Sequence, residues 1–198
     1  MKYKIRNTIW SYLFVFWCWT RLESVWCAIY RFLFHRKYKG WERSIPKLNS
    51  AEEVQELLDQ IEWRPDGWKE LKHVIGSPSW AGYVLQKVCF DGEMQPAGAF
   101  DCDDFSILAS QMLKDSPKFN VCVLLTVFYR KFDGSLGAHM VCVVRYDPLS
   151  DYNSQENLMA HWYHLGNWGL SESFENLLDL IKDVVEGYTL LGFSIREP

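Results

Sequence analysis

The sequence predicts an α+β fold, and three observations carry that expectation. A helical repeat of apolar residues opens at Cys102, strand-like apolar runs follow at 120–129, 138–146 and 160–165, and a second helical repeat precedes a last run at 188–195. A helix followed by several antiparallel strands, with one helix inserted near the end, is the order of a segregated α+β domain rather than of alternating βα units.

The chain of 198 residues has room for one compact domain plus an appendage. Hydrophobic residues at 48% against 23% charged leave enough apolar surface to build a core. The formal charge of −4 gives no sign of a nucleic-acid partner, because phosphate-binding domains carry a basic excess. Residues 1–45 stand apart as an N-terminal aromatic and basic helical segment, with a domain expected over 46–198. Lys2, Lys4 and Arg6 precede the uncharged run Ile9–Trp19, whose eleven residues fall short of the roughly 20 needed to span a bilayer. Asn7, Ser11, Cys18, Arg21, Ser24, Ala28, Arg31 and His35 recur at helical intervals and mark one narrow polar or small-residue stripe. A helix apolar on its other sides needs cover. Its own domain or a second copy supplies that cover, and so does a membrane surface that the basic flanks would favour. Self-association or membrane-surface contact through residues 5–35 is therefore expected.

The globular elements follow in order. Ser50-Ala51-Glu52-Glu53 reads as a capping box ahead of Val54, Leu57, Leu58 and Ile61, predicting a short helix over 51–61 that Trp63-Arg64-Pro65-Asp66-Gly67 stops. Residues 66–98 mix Gly, Pro, Ser and aromatics without sustained period, predicting a long ordered loop with at most short helices. Phe105, Leu108, Ala109 and Met112 give the helix from Cys102 its apolar face, and Lys114 to Pro117 end it. A final helix over 172–185 rests on Phe174, Leu177, Leu178, Ile181 and Val185, with Gly187 closing it.

Cysteines at 18, 27, 89, 102, 122 and 142 include no Cys-x-x-Cys pair, and the N-terminal apolar run, with no small-residue cleavage site after it, is not expected to be a secretory signal. Cys122 and Cys142 lie inside apolar runs, where free cysteine behaves as a small hydrophobe. Free thiols and an intracellular, cytoplasmic setting are expected.

The chemistry concentrates in Gly98-Ala99-Phe100-Asp101-Cys102-Asp103-Asp104-Phe105. A thiol in the first turn of a helix meets unpaired N–H groups and the positive end of the helix dipole. Asp101 is expected to cap that helix, with Asp104 completing a box. The three flanking carboxylates oppose ionisation, so the thiol needs an imidazole. His139, at the start of the run Ala138-His139-Met140-Val141, is the candidate base. A third group must fix the ring, and Asn167 in Gly166-Asn167-Trp168-Gly169 stands at the end of the next run, with Asp147 and His164 as alternatives. For the oxyanion, the Cys102 amide is one expected donor, and Gln95, Gln86 or Trp80 the other. Adjacent carboxylates cannot all face one ion, so neither metal nor cofactor is expected.

Those motifs, with Trp63-Arg64-Pro65-Asp66 and Ser77-Pro78 upstream, resemble the transglutaminase-like superfamily, and more narrowly bacterial and phage cysteine peptidases of that fold. The resemblance covers roughly residues 60–170 and implies a papain-like layout, in which a nucleophile helix packs on an antiparallel sheet carrying the base and its orienting group. It implies a Cys102–His139–Asn167 triad and hydrolysis of a peptide or protein amide. Two departures stand out: Phe100 where many members have glycine, and Asn167 where many have aspartate. A non-catalytic scaffold of the same fold and a protein cross-linking transglutaminase are the rival expectations.

Overall fold

The structure is a computed structural model that describes residues 38–64, 78–89, 100–146 and 161–198. The expected N-terminal helix, Gln95 and Asp147 lie outside the described residues.

A 3-10 turn at Trp41–Ser44 leads to helix α1, Ala51–Leu58, where the Ser50 hydroxyl accepts from the Glu53 N–H at 3.3 Å as the capping signature predicts. Helix α2, Pro78–Cys89, runs through a stretch expected to hold only loop and short helices. Gly82 weakens the helical signal there, and packing explains its presence. A Cβ at Gly82 would stand 2.2 Å from the Trp41 carbonyl oxygen, so only glycine admits the preceding turn. The rings of Tyr38, Trp41, Trp80 and Tyr83 pack together at this junction. Packing of the globular part therefore reaches back to Tyr38. Helix α3, Cys102–Leu113, buries Phe105, Leu108, Ala109, Met112 and Leu113.

The strands β1 (Phe119–Arg130), β2 (Leu136–Tyr146), β3 (Trp162–Gly166), β4 (Gly169–Leu170) and β5 (Thr189–Arg196) form one antiparallel sheet in the order β4-β3-β2-β1-β5. Helix α4, Leu177–Val185, precedes β5. It starts later than the repeat through Phe174 predicts, because Phe174 pairs with Trp162 in an isolated bridge and the Asn176 side chain caps Asp179 at 3.0 Å. Side chains alternate across the sheet. Cys142, Val144 and Leu165 join α1, α2 and α3 in one core, while Leu125, Val127, Val141 and Val143 pack with Leu180, Ile181, Val184 and Val185 of α4 in the other. Helices thus cover both faces of a five-stranded sheet. No helix among the described residues is long and apolar enough to cross a membrane.

Candidate active site

Cys102 is the first residue of α3. Asp101 before it has extended backbone and its side chain makes no capping bond, so the expected aspartate cap is not formed; the Phe105 N–H bonds the Asp101 carbonyl at 3.1 Å and begins the helix. The approach to Cys102 is held from the other side. Phe100 exchanges both backbone hydrogen bonds with Arg64 at 3.0 Å each, and its fully buried ring meets Phe105 edge-on. Phe100 is a core anchor for the turn that presents the thiol.

The head of α3 docks on an edge of β2. Pairing of β2 with β3 runs from Arg145↔Trp162 to Cys142↔Leu165, and there β3 ends in its hairpin. Along β2 the Tyr146 N–H points to the β3 side, bonding His161, and strand alternation gives Met140 the same direction. Helix α3 takes up both Met140 backbone groups. The N–H donates to the Cys102 sulfur, and the carbonyl lies 2.9 Å from Ser106 Oγ, which is also 2.6 Å from the Cys102 carbonyl. The buried Ser106 hydroxyl shares one proton between those two oxygens.

His139 adjoins Met140 and is only 4% exposed. It opposes Val127 in the register, and alternation puts its side chain with Val141 and Val143, on the α4 face. The Trp168 ring stacks on the imidazole, with centroids 3.6 Å apart and planes 14° from parallel. Asn167 and Trp168 form the tip of the β3–β4 hairpin, which Gly166 and Gly169 close, and Gly169 at φ 106 supplies the left-handed residue that such a tip needs. His139 Nε2 and Asn167 Oδ1 are both buried without a hydrogen-bond partner. A ring N–H and an amide oxygen are complementary, and Asn167 directly precedes the indole stacked on the imidazole.

The structure thus brings Cys102 to the backbone of the residue after His139, and stacks Trp168, the residue after Asn167, on the imidazole. It forms no hydrogen bond between the Cys102 thiol and the His139 ring: the sulfur sits at the strand edge and the imidazole leaves the strand on the α4 side. Burial pushes the Cys102 thiol up to about 12; the Met140 amide pulls against this, while Asp101, Asp103 and Asp104 add to the rise. Burial also lowers the His139 imidazole to about 4, with His164 contributing in the same direction. Near neutrality the resting pair is therefore thiol and neutral imidazole.

Among the alternatives, His164 Nε2 lies 2.9 Å from Asp183 Oδ2, an ion pair whenever the ring is protonated. Burial lowers the His164 pKa, with Asp183 opposing the shift. Trp80 stacks within the buried aromatic junction, and Gln86 is half-buried on α2. Asp101, Cys102 and Asp103 each offer one potential metal ligand within 4.8 Å of the others, and no histidine joins them among the described residues. Sequence reasoning missed Ser106 and Trp168. The first carried a signal, a serine four residues after the cysteine on an otherwise apolar helix; the second was visible only as a tryptophan in a turn.

Comparison with family models, with curated proteins and with solved structures found no match.

Proposed function

We propose that the chain is a transglutaminase-like cysteine hydrolase of papain-like layout, acting on a peptide or protein amide through Cys102, His139 and Asn167. The observation that carries this reading is the docking of the α3 head, with the Cys102 sulfur on the Met140 amide, next to His139 under the Trp168–Asn167 hairpin. Because thiol and imidazole both rest neutral, the reaction begins with general-base transfer. The sulfur attacks the amide carbonyl as its proton passes to His139, the imidazolium gives that proton to the departing amine, and a thioester remains on Cys102. Water, deprotonated by His139, then attacks the thioester, the C–S bond breaks and the acid leaves, and the imidazolium returns its proton to the Cys102 sulfur. Asn167 accepting from His139 Nε2 would keep the other ring nitrogen directed at the thiol. The proton transfer needs the imidazole to rotate toward the strand edge.

The non-catalytic scaffold draws support from one specific observation: a buried, protonated thiol with no bond to the imidazole is a poor nucleophile. A mixed peptide substrate with the wild-type chain, Cys102→Ala, His139→Gln and Asn167→Ala separates the two. The hydrolase reading expects cleavage that Cys102→Ala abolishes, that His139→Gln lowers by at least roughly 10²-fold, and that Asn167→Ala lowers less. A wild-type chain that cleaves nothing, and whose Cys102 alkylates no faster than in His139→Gln, overturns it. Incorporation of a fluorescent primary amine in place of hydrolysis would identify the cross-linking alternative.

A further inference from the structure

A second pair of thiols lies away from this site, at the middle of the sheet. Cys122 of β1 opposes Val144 and Cys142 of β2 opposes Leu124, so the two cysteines sit diagonally on adjacent strands, on the face covered by α3. Their sulfurs are 4.0 Å apart, within S–H···S contact, and the Ser110 carbonyl lies 3.8 Å from Cys122 Sγ. Both are free thiols. Cys142 is fully buried and Cys122 is half-buried. We propose that Cys122 and Cys142 are a peroxide-oxidisable dithiol, in which a hydroperoxide reaches Cys122 first and Cys142 closes the disulfide.

The asymmetry of the pair assigns the roles. Only Cys122 has access to solvent. The hydrogen bond that Cys142 donates to it favours its thiolate, so that Cys122 is held below the usual thiol range and Cys142 above it. The Cys122 thiolate takes one oxygen of hydrogen peroxide as the O–O bond breaks, giving a sulfenic acid, and the other oxygen leaves as hydroxide that the proton shed by Cys122 converts to water. The Cys142 sulfur then attacks the Cys122 sulfur, the S–S bond forms, the S–O bond breaks, and a second water leaves. Two thiols lose two electrons in all, and one peroxide gains them. The sulfurs must close by about 2 Å, to the ordinary bond length near 2 Å. Diagonal neighbours across a ladder do so only under strain, which favours ready reduction by thiols. The inference does not depend on the proposed hydrolase activity. It bears on that site in one respect: Cys102, protonated up to about 12, is the less oxidisable thiol.

The full chain, treated with hydrogen peroxide and then alkylated in denaturant, tests this by peptide mapping without reduction. Trypsin places Cys122 in 119–130 and Cys142 in 132–145. The expected product joins these two peptides at a mass about 2 Da below their sum, two hydrogens lost, and separates with dithiothreitol. In Cys142→Ala the bond cannot close, and trapping of Cys122 by dimedone should rise at least roughly ten-fold over wild type. Wild-type mapping stands without the variant should that variant fold poorly. Peptides that stay separate in peroxide-treated, still folded wild-type chain overturn the proposal, as does a disulfide that joins Cys122 or Cys142 to any other cysteine.

Discussion

Acid should destabilise this protein measurably through one identifiable ring. His139 titrates near 6.5 when unfolded and at about 4 in the fold. Between those values the unfolded chain binds a proton that the folded chain refuses, so stability falls as pH drops from above 6.5 toward 4 and levels off below. At 1.36 kcal/mol per unit the whole difference is about 3 kcal/mol, and most of it, about 2.5 kcal/mol, is already lost at pH 4.5. For a chain of this size, with a urea dependence of about 2 kcal/mol/M, that lowers the midpoint by roughly 1.3 M. The assay compares urea unfolding at pH 7.5 and 4.5 for wild type and His139→Gln. Glutamine removes the titration while other acid-sensitive groups, His164 among them, remain in both proteins. The wild-type midpoint should therefore fall further than the variant's by about 1.3 M. Equal falls would mean that His139 is as solvated folded as unfolded, and that the buried, stacked ring is not the environment the imidazole experiences.

The thiol at the opposite extreme predicts an alkaline limb. With the Cys102 pKa raised from 9.0 to about 12, its contribution is intact below pH 9 and is lost as pH climbs toward 12, so urea midpoints above pH 9 should fall less in Cys102→Ala than in wild type. Ser106→Ala removes the donor that the buried Met140 and Cys102 carbonyls share, and should destabilise the fold by about 1–3 kcal/mol in the same assay while raising alkylation of Cys102. Gly82→Ala drives a methyl into the Trp41 carbonyl; a loss of about 2 kcal/mol or more, with Trp41 fluorescence shifted toward the exposed value, is the expected result.

Sequence legibility followed the source of each element's stability. Helix α3 was readable because burial on one face imposes a period, as with Phe105, Leu108 and Met112, and the strands because burial on both faces gives an unbroken apolar run, as with Val141 to Val144. Helix α2 was not, because Gly82 serves a close backbone approach that no period encodes. The start of α4 was misplaced because Phe174 fits the helical repeat yet finds a better partner in Trp162. At the site, the order of Cys102, His139 and Asn167 and their places at element ends were visible. Two things were not. The docking of α3 runs through Met140 backbone groups, whose chemistry is the same for every residue type. The shifts at Cys102 and His139 arise first from burial, whereas the sequence displayed only the carboxylates.

The Met140 amide has a consequence for observing this protein at work. Its neighbours in β2 donate to carbonyl oxygens of partner strands, while this one N–H rests on a sulfur, a weak acceptor. Deuterium should therefore enter at Met140 sooner than at the flanking positions of the ladder. The rate should change again whenever the sulfur changes its chemistry. A thioester or an alkyl group on Cys102 draws electron density away from the acceptor and loosens the bond, so isotope uptake at a single backbone position becomes a label-free clock for the occupancy of the thiol.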